Sequence, residues 1–160
     1  MSTATMRRKI AIAIDAESPE QASKVISWTA ANLLKPLDDV HLIMVVVMDP
    51  EFFGHEETIE ASILGDHELE RLEQEASAKH AGAMRAWSGE LVSQGYKTTT
   101  HILKSGPAHP TKVITEYVDT AKFDCLVLGS RNLSGWRRTI FGSFSDYVQQ
   151  HVHCPVLIVK

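Results

Sequence analysis

Residues 125–151 decide the fold, and they read CLVLGSRNLSGWRRTIFGSFSDYVQQH. Residues 125–128 are apolar and predict a short buried strand, whereas residues 144–151 have the amphipathic spacing of a helix. Three glycines and three arginines lie between them, so a glycine-rich loop joins the carboxyl end of a strand to the amino end of a helix. In open α/β sheets ligands bind at this position, and the backbone N–H groups of a helix N-terminus favour an anion there.

Outward from this loop, short apolar runs alternate with helical periods. The predicted strands are residues 9–14, 41–48, 96–103, 125–128 and 156–159. The predicted helices begin at Pro19, Asp66, Pro110 and Phe144. Strands that alternate with helices predict an α/β fold with a single doubly wound, five-stranded parallel sheet and helices on both faces. We expect a flavodoxin-like or Rossmann-like strand order of 3-2-1-4-5.

The first helix carries a distinct start signal. Ser18 and Gln21 have the spacing of a reciprocal capping box, and Pro19 suits the first helical position. Farther along, residues 49–65 form a long acidic connection. Such a connection is typical of a lid, a partner surface or a disordered segment, and the sequence leaves these alternatives open.

Composition narrows the class of protein. A chain of 160 residues favours one domain, residues 1–160. A net charge of −4 gives no bulk attraction to nucleic acid, and no apolar run reaches transmembrane length. Two cysteines do not make a disulfide framework. We therefore expect a cytoplasmic protein with neither a nucleic-acid nor a membrane partner.

Several familiar chemical motifs are absent from the sequence. There is no G-x-x-x-x-G-K-[ST] phosphate loop and no G-x-G-x-x-G after the first predicted strand. The G-x-S-x-G turn of serine hydrolases is absent too. His151, His153 and Cys154 match no common zinc spacing. We predict no catalytic residue and no metal-binding residue, and the late glycine loop remains the candidate site.

That loop resembles the one in the universal stress protein family. Nucleotide-binding members carry Gly, two residues, Gly, nine residues, then Gly-Ser or Gly-Thr. Here Gly129 fits the first position and residues 142–143, Gly-Ser, fit the last, whereas Asn132 replaces the middle glycine. Residues 12–15 (IAID) and 154–159 (CPVLIV) resemble the family's first and closing strands. The resemblance covers nearly the whole chain and implies a UspA-like domain.

The resemblance also implies a ligand and its contacts. The ligand would be ATP, with AMP or ADP as alternatives, and Mg²⁺ would be held through the phosphates. Asp15 would lie near the adenine or ribose, and the backbone at Val47 would meet the adenine edge. The other implied nucleotide-binding residues are Ile14, Leu128, Gly129, Arg131, Asn132, Gly142, Ser143, Phe144 and Ser145.

Asn132 leaves two functions open. Asparagine is the best non-glycine residue for a positive φ, at a cost of about 1 kcal/mol, and its amide can donate to a phosphate oxygen. Family members without these glycines generally do not bind ATP. The predicted function is an ATP-binding universal stress protein that acts as a nucleotide-dependent switch in the stress response. The alternative is a nucleotide-free dimeric interaction module with the same fold.

Two further expectations concern catalysis and assembly. No general base is predicted beside the γ-phosphate, so we expect slow ATP hydrolysis at most. The last predicted strand, residues 156–159, is apolar and ends the sheet, and such an edge tends to be covered or paired. Family members commonly pair this strand with its twofold mate. We therefore expect a homodimer through Val156–Val159.

Overall fold

The computed structural model describes residues 6–15, 18–47, 66–106, 110–129 and 143–160, with the backbone alone at 66–70, 72–73, 76 and 143–144. Within these ranges strands and helices alternate strictly. The strands are β1 (Lys9–Ile14), β2 (Asp39–Val47), β3 (Lys97–Ser105), β4 (Cys125–Gly129) and β5 (Val156–Val159). The helices are α1 (Pro19–Asn32), α2 (Asp66–Ser93), α3 (Pro110–Ala121) and α4 (Ser143–His151).

The strands form one parallel sheet in the order β3-β2-β1-β4-β5, which confirms the predicted fold class and strand order. Strand β1 lies at the centre, where Ile10 is in register with Val40 of β2 and Cys125 of β4. The chain runs outward from β1 to β3 on one side and from β4 to β5 on the other. The order therefore reverses between β1 and β4, and a crevice opens beyond their carboxyl ends.

Both faces of the sheet are buried, because side chains along a strand point alternately to opposite sides. Ile10, Ile12 and Ile14 of β1 pack in a cluster with α1 and α2. Ala11 and Ala13 pack with α3 and α4 on the other face. Strand β2 behaves in the same way, which explains its unbroken apolar sequence.

A left-handed glycine follows the end of helix α2. Gly95 follows the helix with φ of 92°, and the Tyr96 N–H donates to the Leu91 carbonyl at 3.1 Å. This backbone pattern satisfies a terminal carbonyl and requires a left-handed residue, for which glycine is suited. Among the described residues, no helix has both the length and the apolarity needed to cross a membrane.

Helix α1 begins as predicted, but its capping box is wrong. Ser18 is the N-cap and Pro19 the first helical residue, yet Ser18 makes no side-chain cap hydrogen bond. The Gln21 side chain lies instead against the carboxyl end of β4, with Nε2 3.0 Å from where a Cβ atom would stand on Gly129. The Gln21 side chain therefore makes a tertiary contact, whereas the local pattern predicted a capping hydrogen bond.

Candidate functional site

A cleft lies at the topological switch point, between the carboxyl ends of β1 and β4 and the first turns of α1. We call it the β1–β4 cleft. The residues that line it are Ala13, Ile14, Asp15, Gln21, Ala22, Val25, Leu128 and Gly129. Most of these are apolar, and only Asp15 and Gln21 have polar side chains. The position of the cleft, where the strand order reverses, is the place where open α/β sheets bind ligands.

Asp15 is the acidic group of this cleft. It follows Ile14, which ends β1, and only 7% of the residue is exposed. The Ser18 N–H donates to the Asp15 carbonyl at 3.4 Å, which closes the connection between β1 and α1. Aspartate is seldom buried to this extent without a structural or functional reason. Its position in the cleft wall makes it a candidate acceptor for a ligand hydroxyl or amino group.

Gly129 allows α1 to approach β4 closely. A Cβ atom at this position would lie 3.0 Å from Gln21 Nε2 and 3.1 Å from Val25 Cγ2. Both distances are shorter than ordinary van der Waals contact between heavy atoms. Gly129 was predicted from the phosphate loop alone, and the structure adds a packing role in which the missing side chain makes room for α1.

The structure brings some of the sequence-predicted site residues together. Ile14, Asp15, Leu128 and Gly129 all line the β1–β4 cleft. Val47 ends β2 at the same edge of the sheet, in register with Ser105, but it does not line the described part of the cleft. Residues further along the chain are described less completely. Ser143 and Phe144 begin α4, Ser145 is half-buried in its first turn, and Arg131, Asn132 and Gly142 lie outside the described residues.

The sequence analysis did not identify Gln21 and Val25 as cleft residues. Gln21 was assigned to the helix cap. A signal was nevertheless present, because Gln21 lies in the first turn after the strand that ends at Asp15. In a βαβ unit that turn borders the crevice at the carboxyl ends of the strands.

A second polar region lies on the face of the sheet that α3 covers, in the first half of β2 and β3. We call Asp39, His41, Lys97 and His101 the histidine cluster. His41 Nδ1 lies 2.9 Å from His101 Nε2, and the two rings are parallel within 7°. Lys97 Nζ donates to Asp39 Oδ2 at 3.0 Å. Asp39 Oδ1 and His41 Nε2 face each other at 3.5 Å, a distance longer than an ordinary hydrogen bond.

The surroundings of the histidine cluster hold both imidazoles neutral. Burial lowers the pKa of His41, although the Asp39 carboxylate opposes this shift, and burial together with Lys9 lowers the pKa of His101. Burial alone would raise the pKa of Asp39, but the hydrogen bond and the positive charge of Lys97, together with the neighbouring His41, outweigh it, so that this pKa is lowered. His41 Nδ1 and His101 Nε2 share one hydrogen bond, and the tautomers of the two neutral rings decide which nitrogen donates. Asp39 Oδ1 and His41 Nε2 are buried and make no hydrogen bond, so the cluster satisfies only part of its hydrogen-bonding capacity.

Comparison with known proteins decides the family. The model of the universal stress protein family matches residues 6–160. The chain belongs to the universal stress protein family. A relative in Methanocaldococcus jannaschii, universal stress protein MJ0531, is 31% identical over 132 residues, which are 82% of this chain and 71% of the relative.

Solved structures share the fold of this family member. Universal stress protein UspA from Lactobacillus plantarum superposes with a TM-score of 0.68 at 21% identity, over 96% of this chain and 97% of the other. A universal stress protein from Archaeoglobus fulgidus, solved in complex with dAMP, has a TM-score of 0.60 at 17% identity, over 97% and 99% of the two chains. These matches agree with the observed strand order and with helices on both faces of the sheet.

Proposed function

We propose that this universal stress protein binds an adenine nucleotide, ATP with Mg²⁺, in the β1–β4 cleft and acts as a nucleotide-dependent switch in the stress response. The observation that carries the proposal is the cleft itself. It lies at the point where the strand order reverses, with the buried carboxylate of Asp15 on one side and the bare backbone of Gly129 on the other. Open α/β sheets bind nucleotides at such a switch point.

The chemistry of the cleft suits a nucleoside. Leu128, Ile14 and Val25 supply an apolar wall, and Asp15 supplies an acceptor for a hydroxyl or amino group. The amino end of α4 follows the glycine loop and favours the phosphates. The proposal assigns the phosphates to Arg131, Asn132, Gly142 and residues 143–145, with Mg²⁺ retained through phosphate oxygens. The A. fulgidus relative solved with dAMP supports a nucleotide as the ligand class.

The direct test is calorimetric titration of the purified protein with ATP, ADP and AMP, with and without Mg²⁺, alongside thermal unfolding. We expect saturable binding and a higher unfolding temperature with ATP, because a ligand that binds only the folded state stabilises it. Asp15→Asn should weaken binding about 10- to 100-fold, since a hydrogen bond to a charged group contributes about 1.5–3 kcal/mol.

Glu20→Gln is the matched control. It removes one negative charge from the first turn of α1, where Glu20 is exposed and does not line the cleft. Equal weakening by both variants would reduce the role of Asp15 to a general charge effect. Absence of binding by every adenylate at millimolar concentration, with no thermal shift, would contradict nucleotide binding altogether.

A second candidate function is a nucleotide-free dimeric module, and the edge strand β5 supports the dimeric part of it. Strand β5 is an edge strand of the sheet, and its first three residues, Val156, Leu157 and Ile158, are only half-buried. An apolar edge of this kind tends to pair or to be covered. We propose a homodimer through Val156–Val159 in the cytoplasm, which is compatible with either function. Light scattering of wild type and Ile158→Lys tests it, because the charged side chain should shift the protein toward monomer.

A further inference from the structure

We propose that the histidine cluster is a pH-sensitive conformational switch. With no more than one proton added to the neutral His41–His101 pair, the cluster holds the edge strand β3 and helix α3 on the sheet, and a second proton releases them. The inference concerns the conformation of the protein and stands independently of the proposed nucleotide binding. It predicts that acid opens one edge of the sheet while the centre of the sheet stays closed.

The position of the pair is the first observation. Within the described sheet, β3 is an edge strand and pairs with β2 alone. His101 lies in the middle of β3, and its Nε2 atom is 2.9 Å from Nδ1 of His41 in β2. The ring centroids of His101 and Tyr117 of α3 are 5.3 Å apart, and those of His41 and Phe123 are 5.0 Å apart. The pair therefore joins β3 to β2, and both strands to α3 and the connection that follows it.

The number of hydrogens between the two rings is the second observation. A hydrogen bond between two ring nitrogens needs one hydrogen, so that one ring donates and the other accepts. This condition is met when both rings are neutral, and also when one of them carries an added proton. When both rings are imidazolium, each nitrogen carries a hydrogen and neither can accept, while two positive charges adjoin at 2.9 Å. The contact between β2 and β3 cannot persist in that state.

The carboxylate beside the pair compensates the first added proton. Asp39 Oδ1 faces His41 Nε2 at 3.5 Å, and both atoms are buried without a hydrogen bond. A charged His41 carries a hydrogen on Nε2 and would give both atoms a partner. Lys97 of β3 binds the other oxygen of the same carboxylate at 3.0 Å. Asp39 can therefore accommodate one positive charge on His41.

A second proton, on His101, has no comparable compensation. Burial lowers the pKa of both histidines, and Lys9 of β1 lowers both further. Among the described residues, the remaining titratable group in contact with the pair is Tyr117 of α3, whose pKa burial raises, so that it stays neutral. Because both histidine pKa values lie below the ordinary value of about 6.5, the cluster is neutral at neutral pH and the switch releases as the pH falls.

The test is hydrogen–deuterium exchange followed by mass spectrometry from pH 7.5 to 5, with rates corrected for the pH dependence of intrinsic amide exchange. In the wild type, peptides that cover residues 97–105 and 110–121 should lose protection about tenfold more than peptides from β1 and β4. A shift of one pKa unit changes the equilibrium for local opening by about that factor. Circular dichroism at each pH checks that the protein stays folded.

Two variants remove the titration. His101→Gln keeps a hydrogen bond to His41 Nδ1, because an amide can present either its N–H or its oxygen, and it should keep residues 97–105 protected down to pH 5. His41→Asn is a second variant of this kind and should behave in the same way. His153→Gln is the matched control, because His153 contacts α3 through Asp119 outside the histidine cluster. It should retain the acid response of the wild type.

Three results would overturn the proposal. The first is an equal loss of protection in all strands of the wild type, which would mean global unfolding. The second is a wild type that keeps β3 and α3 fully protected at pH 5. The third is an acid response in the folded variants His101→Gln and His41→Asn that matches the response of the wild type. None of these results bears on nucleotide binding, which calorimetry measures separately.

Discussion

The β1–β4 cleft and the histidine cluster both contain polar side chains next to the same sheet, but these side chains face different surroundings. In the histidine cluster, His41 faces His101 and Asp39 binds Lys97. In the cleft, Asp15 and Gln21 line an opening beyond the carboxyl ends of the strands. The polar groups of the first region face one another across β2 and β3, whereas those of the second border a cleft at the carboxyl ends of the strands.

Buried polar side chains alone therefore do not mark a functional site. Two histidines with lowered pKa values beside a carboxylate are a combination of residues that is common in active sites. Their mutual contacts across β2 and β3 explain them as a structural link to an edge strand. A polar residue is better evidence of function when it borders a cleft at a topological switch point.

The sharpest test of this contrast is His41→Leu. Leucine has a similar volume but leaves the half-buried His101 ring nitrogen without its partner, so we expect a loss of about 1–2 kcal/mol in the free energy of unfolding. Nucleotide affinity should stay unchanged. Urea titration and calorimetry measure the two quantities, with the exposed His153→Leu as control. A variant that loses affinity but no stability would reverse the roles of the two regions.

Gly129→Ala tests the packing role of the cleft glycine. The new methyl group would meet Val25 Cγ2 at 3.1 Å and displace the Gln21 amide, so we expect about 1 kcal/mol of destabilisation together with weaker ATP binding. Gly89→Ala in α2 is the matched control. Its Cβ meets nothing within 4 Å, and alanine should stabilise that helix by about 0.5–1 kcal/mol. Equal effects at both positions would contradict the close approach of α1 to β4.

Acid should weaken the histidine cluster. The pKa values of His41 and His101 are lowered in the folded protein, so between those values and the unfolded value of about 6.5 the unfolded chain binds more protons. Stability contributed by the neutral pair is present above pH of about 6.5 and is lost as pH falls through the folded pKa values. Chemical unfolding from pH 7.5 to 5 should show this loss in wild type and a smaller one in His41→Leu. Identical pH profiles would contradict it.

Lys97→Met should have the smallest effect. Lys97 pairs with Asp39 but its side chain is 60% exposed, and exposed ion pairs contribute about 0.2–1 kcal/mol. We expect a loss of no more than about 0.5 kcal/mol and a higher Asp39 pKa, which NMR titration of the carboxyl carbon measures. A larger loss would mean that the ion pair, rather than the pair of histidines, holds β3 to β2.

Most of the fold could be predicted because its signals are local. Each strand is a short apolar run, each helix carries a periodic apolar stripe, and Gly95 and Pro110 mark a helix end and a helix start. The first strand was predicted with its observed bounds, as was the last. Strand β3 extends to Ser105 instead of residue 103, because pairing with β2 continues through polar residues that carry no apolar signal.

The histidine pair could not be predicted in the same way. His41 and His101 are 60 residues apart, and they meet because β2 and β3 pair with Ile43 opposite His101. No local sequence pattern predicts this register between β2 and β3. The side chain of Gln21 is a similar case, since its local pattern indicated a helix cap whereas contact with β4 directs it to Gly129.

From the sequence we could therefore predict the elements, their order, the family resemblance and the end of the sheet where Asp15 and Gly129 lie. These features depend on periodicity, turn residues and strand direction, which are properties of neighbouring residues. Only the tertiary structure decided which polar side chains bind one another and which border the cleft. Those contacts depend on strand register and on the approach of α1 to β4, and both arise from packing between residues that are distant in the chain.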